Sequence, residues 1–150
     1  RVRSSAASDV YKRQGQTDVV VDLSGYYTGA AQAGGTLFTP MAPVRAYDTR
    51  AAGGPLGSML NQFAIGGKNG VPAAAKAVSL NVTATDTDWW SWLKVYPYGQ
   101  GPGTTSDLNW APGQTVANAD VVGLASDGSV GVLNFAGTVD VILDVVGYYS

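Results

Sequence analysis

Apolar residues along this chain alternate with polar ones and do not recur every three or four positions. The clearest stretch is AVSLNVTAT (Ala77–Thr85), with Val78, Leu80 and Val82 on one side and Ser79, Asn81 and Thr83 on the other. That two-residue period is the mark of a half-buried strand. Trp92–Pro97 predicts the next strand and, across the short Asp86–Ser91 connection, an antiparallel partner for the first. Asn61–Gly67, Ser106–Trp110, Val116–Leu124, Val130–Phe135 and Asp140–Tyr149 read as further strands. Leu37–Arg50 reads as extended, since Pro40 and Pro43 forbid helix and discourage a central ladder. Gly- and Pro-rich pieces punctuate these runs, and SDGS (Ser126–Ser129) predicts a hairpin. About eight short strands at regular spacing predict an all-β chain folded as an antiparallel two-sheet β-sandwich, jelly-roll or immunoglobulin-like. No internal period of about forty residues supports a trefoil or a propeller.

One strand is written twice. DVVVDLSGYY (Asp18–Tyr27) returns as DVILDVVGYY (Asp140–Tyr149), with Asp18/Asp140, Asp22/Asp144, Gly25/Gly147 and both tyrosine pairs identical. Such self-similarity predicts one unit of a tandem array. Residues 15–29 are then the closing strand of a preceding repeat, 30–35 a linker, and 36–150 a complete sandwich repeat. The first copy is expected to pair opportunistically with the 36–150 unit or to be poorly ordered, because a strand without its ladder seeks one. Upstream the similarity stops. Ser4–Gln14 resembles the translation of a transposase-type sequencing-library adapter. Residues 1–14 are therefore read as adapter-derived and set outside the fold argument, and the chain start says nothing about a signal peptide.

Setting that segment aside changes the charge. It holds Arg1, Arg3, Lys12 and Arg13 of the nine basic residues, and Asp9 of the eleven acids. Five cations then face ten carboxylates, and such an acidic chain offers no electrostatic footprint for nucleic acid or an anionic membrane surface. No apolar run is long enough for a membrane-spanning helix. Every acid is Asp, and Glu, His and Cys are absent. Lack of His and Cys removes Ser-His-Asp and Cys-His catalysis, disulfides and most transition-metal sites. No cofactor is expected.

Four groups of residues remain as candidates. Trp89, Trp90 and Trp92 fall within four positions, with Trp110 not far beyond. In a strand Trp90 and Trp92 share a face and Trp89 opposes them, so at least one indole is expected in solvent, ready to stack on a sugar ring or a partner protein. The competing reading has two in the core and one capping the sandwich edge. Arg45, Asp48 and Arg50 form a charged cluster suited to an anionic sugar or carboxylate, or to internal pairing that fixes an irregular segment. Asp86 and Asp88 give a weak D-x-D metal candidate, far short of the six to eight oxygens calcium needs; no metal is expected. Asn81, Asn109 and Asn118 interrupt apolar stretches and read as structural asparagines satisfying backbone groups.

The motifs FTPMAPVRAYDTR (Phe38–Arg50), GVPAAAKAVSLNVTAT (Gly70–Thr85), LKVYP (Leu93–Pro97), SDLNWAPGQTVAN (Ser106–Asn118) and DVVGYY (Asp144–Tyr149) span most of residues 36–150. Together they resemble a repeat domain of secreted, cell-surface actinobacterial proteins. The Trp89–Trp92 run departs from that pattern, where a Gly-containing turn is expected. The resemblance implies a non-catalytic, secreted or cell-surface accessory module that binds a surface or acts as a spacer. Its implied partners are a cell-wall or extracellular polysaccharide, adjacent repeats and an effector domain elsewhere in the parent chain, with no nucleic acid and no membrane insertion. A purely structural spacer with no ligand is the alternative. An Asp-based glycoside hydrolase fragment ranks third, because it needs two carboxyls at controlled separation across a cleft.

Overall fold

The computed structural model describes residues 21, 23, 25–28 and 35–150. The adapter-like segment and nearly all of the 30–35 linker lie outside these residues. So does much of the first copy of the repeated strand. Its described part, Val21, Leu23 and residues 25–28, is exposed and forms no strand. Tyr27 nevertheless meets its repeat counterpart, the two hydroxyls of Tyr27 and Tyr149 lying 2.6 Å apart.

From Phe38 onward the chain forms eight strands: β1 (Phe38–Asp48), β2 (Leu60–Ala64), β3 (Ala77–Thr85), β4 (Ser91–Pro97), β5 (Leu108–Trp110), β6 (Val116–Gly123), β7 (Ser129–Asn134) and β8 (Asp140–Tyr149). They make two antiparallel four-stranded sheets, β1-β8-β3-β6 and β2-β7-β4-β5. β1 pairs with β8, β2 with β7, β3 with β6 and β4 with β5. This is one long antiparallel ribbon folded over on itself, with β3–β8 and β4–β7 closing the two layers. That wrapping is the jelly-roll form of the sandwich.

Two local pairings expected from sequence are overturned by this wrapping. β3 and β4 are not partners: the Asp86–Trp90 connection carries the chain from the first sheet to the second. SDGS does turn the chain, with Asp127 accepting from the Ser129 amide at 3.0 Å and Gly128 at φ 78°. Its flanking strands β6 and β7 then part into different sheets. Turn residues dictate that the backbone reverses, whereas the layer each strand joins depends on which apolar face must be covered.

The core follows from the alternation. Val78, Leu80, Val82 and Ala84 of β3 are fully enclosed against Leu93, Val130, Val132, Leu143 and Val145. Each such aliphatic side chain contributes roughly 1.5–3 kcal/mol by leaving water. The prolines explain β1. It sits at a sheet edge, and its register against β8 slips between Pro40 and Val44, as expected where residues lack an amide donor; a second slip, between Arg45 and Tyr47, involves no proline. Tyr47 then ties the layers together, its ring edge-on to Phe63 at 4.8 Å and its hydroxyl donating to the Ala64 carbonyl at 2.8 Å.

Candidate functional site

Three sheet-crossing connections meet at one end of the sandwich, and the tryptophan run lies in the first of them. Thr87, buried, donates to the Gln114 carbonyl at 3.0 Å, and its own carbonyl accepts the Gly113 amide at 2.7 Å. This binds the β3–β4 connection to the β5–β6 connection. Asp88 reaches the third connection, accepting the Thr138 amide at 2.6 Å and the Thr138 hydroxyl at 2.8 Å. Those bonds hold its carboxyl below the ordinary aspartate range. Beneath them Asn134 is wholly buried and fully used. Its Oδ1 accepts from Ser91 Oγ at 2.8 Å, while Nδ2 donates to the carbonyls of Leu56 at 3.2 Å and Gly137 at 3.0 Å. Gly137, at φ 64°, has no room for a Cβ, which would strike the Asp88 carboxylate and Trp89 Cβ. The end of the sandwich is thus pinned by hydrogen bonds among polar groups, the Asp88 carboxylate included, and the indoles are fixed from below.

On that base the four tryptophans separate. Trp110 is 4% exposed and belongs to the core, its Nε1 donating to the Trp89 carbonyl at 3.1 Å. Trp92, on the outer side of β4, stacks on Phe135 with centroids 5.1 Å apart and planes 16° from parallel. Trp90 is 67% exposed and Phe135 58%. Trp90, Trp92, Trp110 and Phe135 line a shallow open cleft of about 560 Å³, with Ser91, Asn109, Ala111 and Gln114 completing it. Its lining blends aromatic walls with a few polar groups, the mixture found at ligand-binding surfaces. Trp89 is also exposed at 61% but lies outside the cleft, beside Gly137. The strand starts only at Ser91, so the shared face of Trp90 and Trp92 comes from the cleft and not from strand alternation alone.

The charged cluster takes the internal form. Arg45 donates through Nε to Asp144 at 2.5 Å and through Nη1 to Asp48 at 2.8 Å. Arg50 holds the other side of Asp48, with contacts of 2.9 and 2.7 Å. The hydrogen-bonded Arg50 guanidinium leads in pulling the Asp48 carboxyl down to about 2. Asp140 accepts from Thr49 Oγ1 at 2.6 Å. Both acids of the repeated D-x-x-x-D strand therefore fasten β8 to β1 and its continuation. Gly147 of the same motif sits under the Phe38 ring, where any Cβ would overlap it.

Asp86 takes a left-handed conformation at φ 51° and Asp88 is bound to Thr138, and no group of three or more metal-ligating residues occurs among the described residues. A different acid pair does form, where the β5 and β6 edges approach. Asp107 accepts from Lys94 Nζ at 2.7 Å and from the Val95 amide at 2.6 Å. Neighbouring Asp120 has an enclosed Oδ2 with no hydrogen-bond partner. Burial, then the Asp107 charge, pushes its carboxyl up to about 6. Asn118 donates to the Asp107 carbonyl at 3.1 Å and Asn109 exchanges bonds with Ser106, while Asn81 faces Asp144 across the β3–β8 ladder.

A scan against protein-family models finds no match to the chain, and a search of curated proteins finds none either. Phe135, Gln114 and the supporting Asn134 escape sequence reasoning. Phe135 reads as the end of a strand until the β4–β7 ladder sets it beside Trp92. Gln114 lies in a loop that its bonds to Ala111 and the Thr87 bonds hold at the cleft.

Proposed function

We propose that this sandwich is a non-catalytic, surface-binding module of a secreted or cell-surface protein, and that it holds a cell-wall or extracellular glycan at the Trp90–Trp92–Phe135 cleft. The observation that carries the reading is a solvent-facing aromatic cluster seated on a hydrogen-bonded base. Large apolar groups left in water on a fixed support favour a ligand with an apolar face and a polar rim, and a sugar ring has both. The resemblance to a cell-surface repeat agrees with this role and supplies the expected setting of neighbouring repeats and an effector domain. A non-catalytic role fits the disposition of the acids. The two carboxyls that approach each other, Asp107 and Asp120, stand apart from the cleft lining, and both Asp107 oxygens are already engaged.

Co-sedimentation with insoluble polysaccharides and purified cell walls tests the reading. The native chain is expected to pellet, and the Trp90→Ala/Phe135→Ala double variant to stay in solution while still melting cooperatively, a few degrees lower for the lost Trp92–Phe135 stack. Failure of the native chain to pellet with every polymer would favour the ligand-free spacer.

A further inference from the structure

The cleft reading above leaves the class of glycan open, and the charge distribution narrows it. None of the residues lining the cleft carries a charge. Residues 36–150 hold five cations: Arg45, Arg50, Lys68, Lys76 and Lys94. Arg45 and Arg50 are committed to Asp48 and Asp144 on the other sheet, and Lys94 is committed to Asp107. Lys76 precedes the start of β3, whereas the cleft follows its end; Lys68 follows the end of β2 that pairs with the start of β7, whereas Phe135 follows the end of β7. Both free lysines therefore lie toward the opposite end of the sandwich. The nearby Asp88 carboxyl is held in its charged form by Thr138. An anionic polymer would thus meet no available cation at the cleft and would pass a domain of net negative charge. Hydroxyls suit what is there. Gln114 uses Oε1 to accept the Ala111 amide at 2.8 Å, while its Nε2 has no intramolecular partner among the described residues. The exposed Asn109 amide stands across the β4–β5 ladder from Trp92.

Resting on the assignment of the cleft as a binding site, we propose that its ligand is an uncharged, hydroxyl-rich glycan segment and that uronate- or phosphate-bearing polymers are refused. Stacking against Trp90 and the Trp92–Phe135 pair supplies contact area, and the Gln114 and Asn109 amides read hydroxyl positions.

Affinity electrophoresis through native gels tests this, with neutral polymers (hydroxyethylcellulose, mannan, arabinogalactan) in one set and polygalacturonate in the other. The native chain is expected to be retarded by a neutral polymer and to run freely in polygalacturonate at both low and high salt. Trp90→Ala, which removes an exposed side chain and leaves the core intact, is expected to weaken neutral-polymer binding about tenfold, the scale of one well-placed stacking contact. Gln114→Glu keeps the acceptor for Ala111 and replaces the free amide, and is expected to weaken binding severalfold. Retardation by polygalacturonate alone, lost in Trp90→Ala, would overturn the proposal while leaving the cleft a binding site. Retardation in no gel, or neutral binding untouched by Trp90→Ala, would overturn both.

Discussion

The outer faces of the two sheets handle exposed chemistry in opposite ways. On β1-β8-β3-β6 the conspicuous groups are charged and they saturate one another: Arg45 with Asp144 and Asp48, and Arg50 with Asp48. On β2-β7-β4-β5 the Lys94–Asp107 pair is mostly covered, the exposed groups are aromatic and neutral, and Trp90 and Phe135 are left with open surface. Charges near a protein surface are hydrated and pair at little cost wherever the fold brings opposite signs together, as it does along β1 and β8. An indole in water tolerates its exposure and stays available. Charge here marks where the strands are fastened, and aromatic surface marks where another molecule can sit.

Several perturbations break or sharpen that contrast. The largest effect is expected beneath the aromatic face. Asn134→Ala removes three hydrogen bonds from a fully enclosed site, takes from the Gly137 carbonyl its Asn134 donor and leaves the Leu56 carbonyl with the Val139 amide alone, so stability should fall by about 3 kcal/mol and glycan binding should fall with it. Urea unfolding paired with affinity electrophoresis measures both; a drop in neither would show that the cleft has no such foundation. On the charged side, Gly147→Ala forces a Cβ into the Phe38 ring and the Thr39 carbonyl. A loss of about 2 kcal/mol is expected from overpacking, with binding at the distant cleft unchanged.

Next comes the seam between the sheets. Folding raises Asp120 from its ordinary 3.8 to about 6. The folded chain therefore keeps a proton that the unfolded chain releases, and the resulting stabilisation is complete below pH 3.8 and gone above pH 6. Asp48 works in reverse: lowered from 3.8 to about 2, it stabilises the fold above pH 3.8 and ceases to do so as the pH falls through 2. Denaturant midpoints should thus peak near pH 4, between these two windows. Asp120→Asn should flatten the decline between pH 4 and 6 and, after discounting for partial solvent access, raise stability at neutral pH by roughly 1–2 kcal/mol. A native chain equally stable at pH 4 and pH 7 would remove Asp120 from this role. The smallest effect belongs to Arg45→Ala. As an exposed pair member it should lower the melting temperature by no more than a few degrees and leave polysaccharide retardation as it was.

The legibility of this molecule in its sequence divides along the same lines. β3 was readable to the residue, because its alternation has one solution once a core exists, and β8 by its likeness to Asp18–Tyr27. Pro40 and Pro43 argued against a central ladder, and β1 lies at a sheet edge. The partnership of β3 with β4 and the SDGS hairpin failed, since turn chemistry is local and the wrapping of the ribbon is not. For the site, the tryptophan run announced at least one exposed indole without saying which, and Trp89 and Trp90 are the exposed ones. Trp92's stacking partner Phe135 is 43 positions away in sequence and became visible only through the β4–β7 ladder. The Arg45–Asp144 link was equally hidden, although the repeated D-x-x-x-D strand and the APVRAYDTR segment each drew attention on their own.

The most direct measurement follows the four indole N–H signals by ¹⁵N-correlated NMR while a neutral oligosaccharide such as cellohexaose or mannohexaose is titrated in. Trp90 and Trp92 are expected to shift together and saturably, Trp110 to follow weakly from the cleft floor, and Trp89, outside the cleft, to stay in place. Shifts confined to Trp89, or four signals unmoved by every neutral oligosaccharide, would contradict a binding role for the aromatic face.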